Sequence, residues 1–222
     1  MSEVSELLLI DKPSGITSMD VIRKMRRKLS IRKIGHAGTL DPLATGLMLV
    51  GVGPGTKKLT ELVKLDKEYI AEVRIGERRS TGDLEGDILE EKVVENLSKE
   101  AVETALKEMV GTLTLPVSAY SAIKVDGVPM YKRARKAEKT GDIVTEVPVR
   151  DMQVIEAELL DFELTKNRAV TTVRFFVGSG TYVRSLAEEL GRRLGYPATL
   201  QSLRRTQVGE YRIEEALQLE NI

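Results

Sequence analysis

The sequence predicts an α+β domain around a mixed or antiparallel sheet. Two early stretches repeat apolar residues at helical spacing, whereas from Thr112 onward apolar and polar residues mostly alternate as in strands. No repeat, low-complexity tract or linker divides the chain, so one layered domain is the simplest arrangement. With 222 residues, 41% of them apolar, a sizeable core is available; at this length folding hides roughly 70% of the extended surface.

The elements follow in order. Glu6 to Asp11 reads as a buried strand closed by the turn Lys12-Pro13-Ser14-Gly15. Thr17 or Ser18 can cap a helix whose inner face is Val21, Ile22, Met25 and Leu29 and whose other faces are basic. A glycine-punctuated loop is expected from Gly35 to Gly46, then a strand from Leu47 to Val52, a helix from Thr56 to Leu65, and a strand from Tyr69 to Ile75. Ser98 to Val110 is the clearest helix, with Val102, Ala105, Leu106 and Met109 inward. Strands are expected at Tyr120 to Val125, Val147 to Leu164 and Ala169 to Val177. Asp126-Gly127 signals a turn, and a basic helix starts near Pro129. Gly178 to Thr181 opens a helix through Leu194, and a strand near Val208 to Tyr211 and a small helix from Glu214 end the chain.

Composition removes several classes of chemistry. Without cysteine there is no disulfide, thiolate metal site or cysteine nucleophile, and a single histidine nearly removes His/Cys metal sites. No metal or cofactor is expected. The start is acidic, and no apolar run approaches the ~18 residues of a membrane helix, so a cytoplasmic protein with no membrane partner is expected.

Charge balances at 34 basic against 34 acidic residues, but unevenly along the chain. Residues 1–60 carry 10 basic and 5 acidic side chains, residues 61–111 carry 8 and 14, and residues 112–222 carry 16 and 15. Between Lys124 and Lys136, five basic residues face only Asp126. Such runs are either solvated faces or contacts for a phosphate backbone.

The loop Gly35-His36-Ala37-Gly38-Thr39-Leu40-Asp41-Pro42-Leu43-Ala44-Thr45-Gly46 concentrates three glycines, the one histidine and an Asp-Pro step. Proline restricts the preceding residue to extended backbone, so Asp41 suits either a positioned carboxylate or an ordinary capping turn. Gly51 to Lys58 fails the spacing of a phosphate loop. Gly178 to Thr181, with Arg184 one turn further, fits an anion site at a helix start or a plain tight turn.

Together these segments resemble the bacterial TruB family of tRNA pseudouridine synthases, which isomerise uridine 55 in the T loop. The resemblance runs from about residue 6 to 213. It is carried by Asp11-Lys12-Pro13-Ser14-Gly15-Ile16-Thr17-Ser18, the loop Gly35 to Gly46, Lys67-Glu68-Tyr69, Tyr120 to Gly127, Gly180-Thr181-Tyr182-Val183-Arg184-Ser185-Leu186 and Leu203-Arg204-Arg205-Thr206. It implies a single catalytic domain with a central mixed or antiparallel sheet flanked by helices and loops, a thumb-like RNA-binding insertion at about 124–150, and a monomer that binds the tRNA T stem-loop. Many bacterial members continue into a C-terminal PUA-like module, which is expected to be absent here since the sequence stops at Ile222. Pro116-Val117-Ser118-Ala119 lacks the double proline common in the family.

The resemblance also implies roles. Asp41 falls on the catalytic aspartate, Tyr69 on the tyrosine stacked on the target base, and Arg184 on the arginine paired with that aspartate. Leu203 and Tyr182 line the pocket, His36 enters the T-loop stack, and Lys12 supports the active-site loop; Lys124 lies among the RNA contacts. Pseudouridine formation breaks the C1′–N1 bond, turns the uracil and forms C1′–C5 with no redox change. One carboxylate is the minimum, acting at C6, at C1′ or in a glycal route, with Tyr69 as the suggested base for the C5 proton. A tRNA-folding chaperone with dispensable catalysis and a synthase acting on another RNA are the alternatives.

Overall fold

In the computed structural model the described residues are 6–121, 123–140 and 147–222. Residues 1–5, Ala122 of the expected strand Tyr120 to Val125, and 141–146 of the expected insertion lie outside them, as does the side chain of Arg135.

The strands are β1 Leu7–Lys12, β2 Ile34–Ala37, β3 Thr45–Val52, β4 Lys67–Ile75, β5 Glu77–Arg79, β6 Ile88–Glu91, β7 Gly111–Pro116, β8 Lys124–Val125, β9 Val128–Pro129, β10 Val149–Leu164, β11 Ala169–Val177, β12 Ala198–Val208, β13 Tyr211–Arg212 and β14 Leu217–Gln218. The helices are α1 Ser18–Leu29, α2 Leu59–Leu62, α3 Lys99–Glu108, α4 Met130–Thr140 and α5 Val183–Leu194. Ten strands form one mixed sheet in the order β14-β1-β3-β12-β4-β11-β10-β7, with β13 beside β12 and β2 beside β3. The pairs β1–β14 and β3–β12 are parallel, whereas β1–β3, β2–β3 and β7–β10 are antiparallel. No helix among the described residues is long and apolar enough to cross a membrane.

The chain divides into two compact units, one of residues 1–71, 174–180 and 202–222, the other of residues 72–173 and 181–201. In the first, β3 is buried almost throughout, which explains its continuous apolar run. Leu47 and Leu49 pack with Ala37 and Val208 over Leu7, Leu9 and Leu59. α1 lies against β2 and buries Val21, Ile22 and Met25, each worth roughly 1.5–3 kcal/mol of transfer free energy. Its entry is a capping box: Thr17 accepts from the Asp20 N–H at 3.1 Å, and the Asp20 carboxylate accepts from the Thr17 N–H at 3.0 Å. In the second unit, α3 starts at the Ser98 cap and buries Val102, Ala105 and Leu106 against β10 and α5. Asp126 and Gly127 both take positive φ, 51° and 77°, as the two-residue turn joining β8 to β9 requires.

Several elements differ from expectation. Only Gly38 to Ala44 is loop, because Gly35 to Ala37 and Thr45-Gly46 pair as strand. Thr56 caps no helix; it closes a 3-10 turn over Gly53–Lys58 by donating to the Gly53 carbonyl at 2.8 Å. Tyr120 lies in a turn, and strand begins only at Lys124. Helix α5 starts at Val183 with Tyr182 at its N-cap, directly after the expected turn Gly178 to Thr181. The largest departure is β12, an eleven-residue strand where only a short one near Val208 was expected.

Candidate active site

The loop bearing Asp41 joins β2 to β3 and is fastened on both sides of that residue. Ser18, 2% exposed, donates from Oγ to the Leu40 carbonyl at 3.0 Å and accepts from the Leu40 N–H at 2.9 Å. Beyond Asp41, the Pro42 carbonyl accepts from the Gly15 N–H at 2.9 Å and from the Lys12 Nζ at 3.2 Å. Ser14 Oγ donates to the Leu43 carbonyl at 3.0 Å, and the Ala44 N–H closes a turn on the Asp41 carbonyl at 3.1 Å. Lys12 is fully buried and also donates to the carbonyls of Pro13 and Ile16, at 2.9 and 2.7 Å. It is therefore placed beneath the loop, not on a surface open to substrate. The segment from Lys12 to Ser18 is thus a clamp that leaves Asp41 half-buried in the loop.

The first and last signature segments also meet. Arg204 on β12 grips the Asp11 carboxylate with two hydrogen bonds, 3.2 and 2.8 Å, the strong bidentate geometry of guanidinium and carboxylate. Gln218 donates to the same carboxylate at 3.2 Å. Arg204 and Arg205 pair in parallel with Thr45 and Gly46, so β12 runs along the end of the Asp41 loop. Gly46 has φ +107°, and a Cβ there would lie 2.2 Å from the Arg205 carbonyl oxygen, so only glycine fits. Leu203, 7% exposed, accepts through its carbonyl from the Thr45 hydroxyl at 3.5 Å.

His36 stands on β2 opposite Val50 and is half-buried, with its Nδ1 buried and unpartnered among the described residues. Burial pushes its imidazole below the ordinary histidine range, the Arg205 charge adds to this, and a hydrogen bond with the Gly38 backbone opposes it. The ring is therefore neutral at pH 7. Lys67 is buried with its Nζ on the carbonyls of Val63, at 2.8 Å, and Leu65. Burial, helped by Arg205 and opposed by Asp66, pulls its ammonium down to about 8. Glu68 accepts from Arg174 at 3.2 Å and from the Thr206 hydroxyl at 2.8 Å, tying two further signature segments together. Tyr69 lies beside it on β4, 7% exposed.

In the second unit, Arg184 occupies the first turn of α5 and is 5% exposed. A cation there opposes the helix dipole, so its burial needs compensation. Its NH1 donates to the Thr81 carbonyl at 2.9 Å and to Ser118 Oγ at 3.1 Å, and lies 3.7 Å from the buried Asp83 carboxylate. Ser118 also donates to the Thr81 carbonyl and accepts from the Tyr120 N–H, each at 3.2 Å, which fastens the segment that lacks a double proline. Glu188, one turn along α5, is raised by burial, with Arg78 and Arg184 opposing. Tyr182 is half-buried, its N–H 3.5 Å from the Met152 sulfur.

Lys124 is exposed on the β8–β9 hairpin. Arg133 in the same basic run is engaged by the hairpin, donating to the Val125 carbonyl and to Asp126, whereas Lys132 and Lys136 are exposed. On α1, Arg23 pairs with Asp20 and Arg26 donates to the Ile34 carbonyl, leaving Lys24 and Arg27 among the exposed cations. In the stretch Gly51 to Lys58, Gly55 has a packing reason: a Cβ there would lie 1.9 Å from the Glu6 carbonyl oxygen.

Three contributors had no role in the sequence reading, Asp83, Ser118 and Arg205, and Ser18 was read only as a possible helix cap. The turn Thr81-Gly82-Asp83 was a legible signal, since Thr81 donates to the Asp83 carboxylate at 2.5 Å. Buried partners from distant strands gave no local sign.

Comparison with known proteins supplies the family. Residues 26–183 match the model of the TruB family pseudouridylate synthase N-terminal domain, and residues 184–222 that of the tRNA pseudouridylate synthase B C-terminal domain. A protein of Fusobacterium nucleatum subsp. nucleatum named tRNA pseudouridine synthase B is 45% identical over 208 residues, covering 94% of this chain and 69% of the relative. A protein of the same name from Corynebacterium efficiens is 40% identical over 218 residues, covering 98% and 72%. Among solved structures, one titled as an H/ACA RNP bound to a substrate RNA containing 2′-deoxyuridine shares the fold with a TM-score of 0.67 at 24% identity. That match covers 96% of this chain, which spans about half the length of the matched one, 51%. The chain belongs to the TruB family of pseudouridylate synthases.

Proposed function

We propose that the chain converts uridine to pseudouridine at position 55, in the T loop of tRNA, with Asp41 as the catalytic carboxylate. The observation that carries this reading is the clamp: the backbone on either side of Asp41 is held by Ser18, Gly15, Lys12 and Ser14. Such preorganisation suits a group that must meet one atom of a base.

The reaction is an isomerisation. The C1′–N1 bond breaks, the uracil turns, C1′–C5 forms, and the proton lost from C5 is balanced by one gained at N1. Asp41 serves at C6, at C1′ or in a glycal route; Tyr69 stacks on the base and takes the C5 proton; Arg184 supplies the guanidinium for the carboxylate. Leu203 and Tyr182 line the base pocket, and Lys12 acts from beneath the loop. The base must first leave the stack, at a cost of a few kcal/mol. Stacking on Tyr69 and insertion of the neutral His36 ring into the T loop offset that cost. The exposed cations of α1, with Lys124, Lys132 and Lys136 of the 124–150 insertion, follow the phosphates in a salt-dependent way.

The test is carbodiimide mapping of total RNA, lacking endogenous T-loop pseudouridine, after incubation with the protein. A new stop at position 55 is expected. Stops confined to other sites, or none, would contradict the assignment.

A further inference from the structure

Arg205 is 1% exposed, and among the described residues no carboxylate pairs with it. A guanidinium taken out of water without a counter-ion is costly, so it is kept only where its hydrogen bonds replace hydration. Its Nε donates to the Leu47 carbonyl at 2.7 Å and its NH2 to the Gly38 carbonyl at 3.2 Å. Gly38 is the residue at which β2 gives way to the loop, with φ +90°, and Leu47 is the third residue of β3 after the loop. The backbone of Arg205 abuts Gly46, the other glycine of positive φ bounding the loop.

We propose that Arg205 is a positioning residue for the Asp41 loop, its planar guanidinium bridging the two ends of that loop. The proposal rests on the reading of Asp41 as the catalytic carboxylate, but part of its test needs no RNA. A fork of fixed geometry can span two carbonyls that a single ammonium cannot hold together. The charge also acts on His36. Elements packed against β2 carry other charged groups, among them Arg26 on α1, Lys57 and Lys58 in the 53–58 turn and Glu61 on α2, yet Arg205 is the charge that depresses the imidazole. Lys67 of β4 feels the same charge.

The two effects separate in two variants, and the single histidine makes its ring resonance unambiguous. Arg205→Met removes both fork and charge: the His36 titration midpoint, followed by NMR in the free protein, is expected to rise, and kcat on a T-arm RNA to fall at least tenfold with KM within threefold. Arg205→Lys keeps the charge and loses the fork: the midpoint is expected to stay at the wild-type value while kcat falls as in the methionine variant. Wild-type kcat in the lysine variant would overturn the bridging role, and an unmoved His36 midpoint in a folded methionine variant would overturn the charge effect on the ring. If the methionine variant does not fold, the lysine variant decides, and its failure to fold too would make Arg205 structural only. Should wild-type protein modify no RNA, the proposed function fails while the titration still reports whether the Arg205 charge acts on His36.

Discussion

Replacing Ser18 with alanine isolates the clamp on the Asp41 loop. The side chain is 2% exposed and Leu40 3% exposed, so no water takes over the two hydrogen bonds they exchange at 2.9 and 3.0 Å. Leaving the Leu40 N–H buried without a partner costs about 1–3 kcal/mol, and the lost bond to the carbonyl adds about 1 kcal/mol. Ser18→Ala is therefore expected to lower unfolding stability by about 2–4 kcal/mol, measured by urea titration. The anchors at Pro42 and Leu43 remain, so the loop stays folded but moves at the residue preceding Asp41. A displacement near 1 Å can cost ~100-fold in rate. Tritium release from 5-tritiated uridine in a T-arm RNA is expected to show kcat reduced ~10- to 100-fold, with KM nearly unchanged. A stability loss under about 0.5 kcal/mol with wild-type kcat would refute the clamp.

Three further outcomes follow from other parts of the structure. Gly46→Ala puts a Cβ 2.2 Å from the Arg205 carbonyl oxygen at φ +107°, and is expected to cost about 2–5 kcal/mol in urea unfolding; a neutral result would contradict the tight β3–β12 approach. Lys67 titrates at about 8 when folded and near the ordinary lysine value of 10.5 when unfolded, so between these values the unfolded chain binds more protons. Stability relative to Lys67→Met is accordingly expected to rise with pH across that window, by up to about 3 kcal/mol, and a flat difference would argue against the buried ammonium. His36→Ala is expected to weaken T-arm binding or slow turnover, read by filter binding and tritium release, whereas wild-type kinetics would remove the ring from the stack.

What the sequence made legible was local. The cap at Thr17, the helical spacing of Val102, Ala105 and Leu106, the alternation along β4 and β11, and the Asp126-Gly127 turn each express a preference within a few residues. β12 escaped because Gln201, Ser202, Arg204, Arg205, Thr206 and Gln207 make it look polar. Its arginines are satisfied by Asp11, Gly38 and Leu47, partners more than 150 residues away in the chain. The Asp41 loop was visible as a cluster of unusual residues, but the reason for its rigidity lies in Lys12 to Ser18, whose side chains looked like turn and cap residues. Arg184 was noticed in the sequence only as a charge beyond the Gly178 to Thr181 turn, and its role beside a carboxylate came through the family resemblance, since a buried cation in the first turn of a helix is what local rules disfavour.

The most direct measurement is tritium release and T-arm affinity for Asp41→Asn. The isosteric amide is expected to abolish release while leaving RNA binding within a few-fold of wild type. Release at the wild-type rate would show that the carboxylate of Asp41 does not perform the isomerisation.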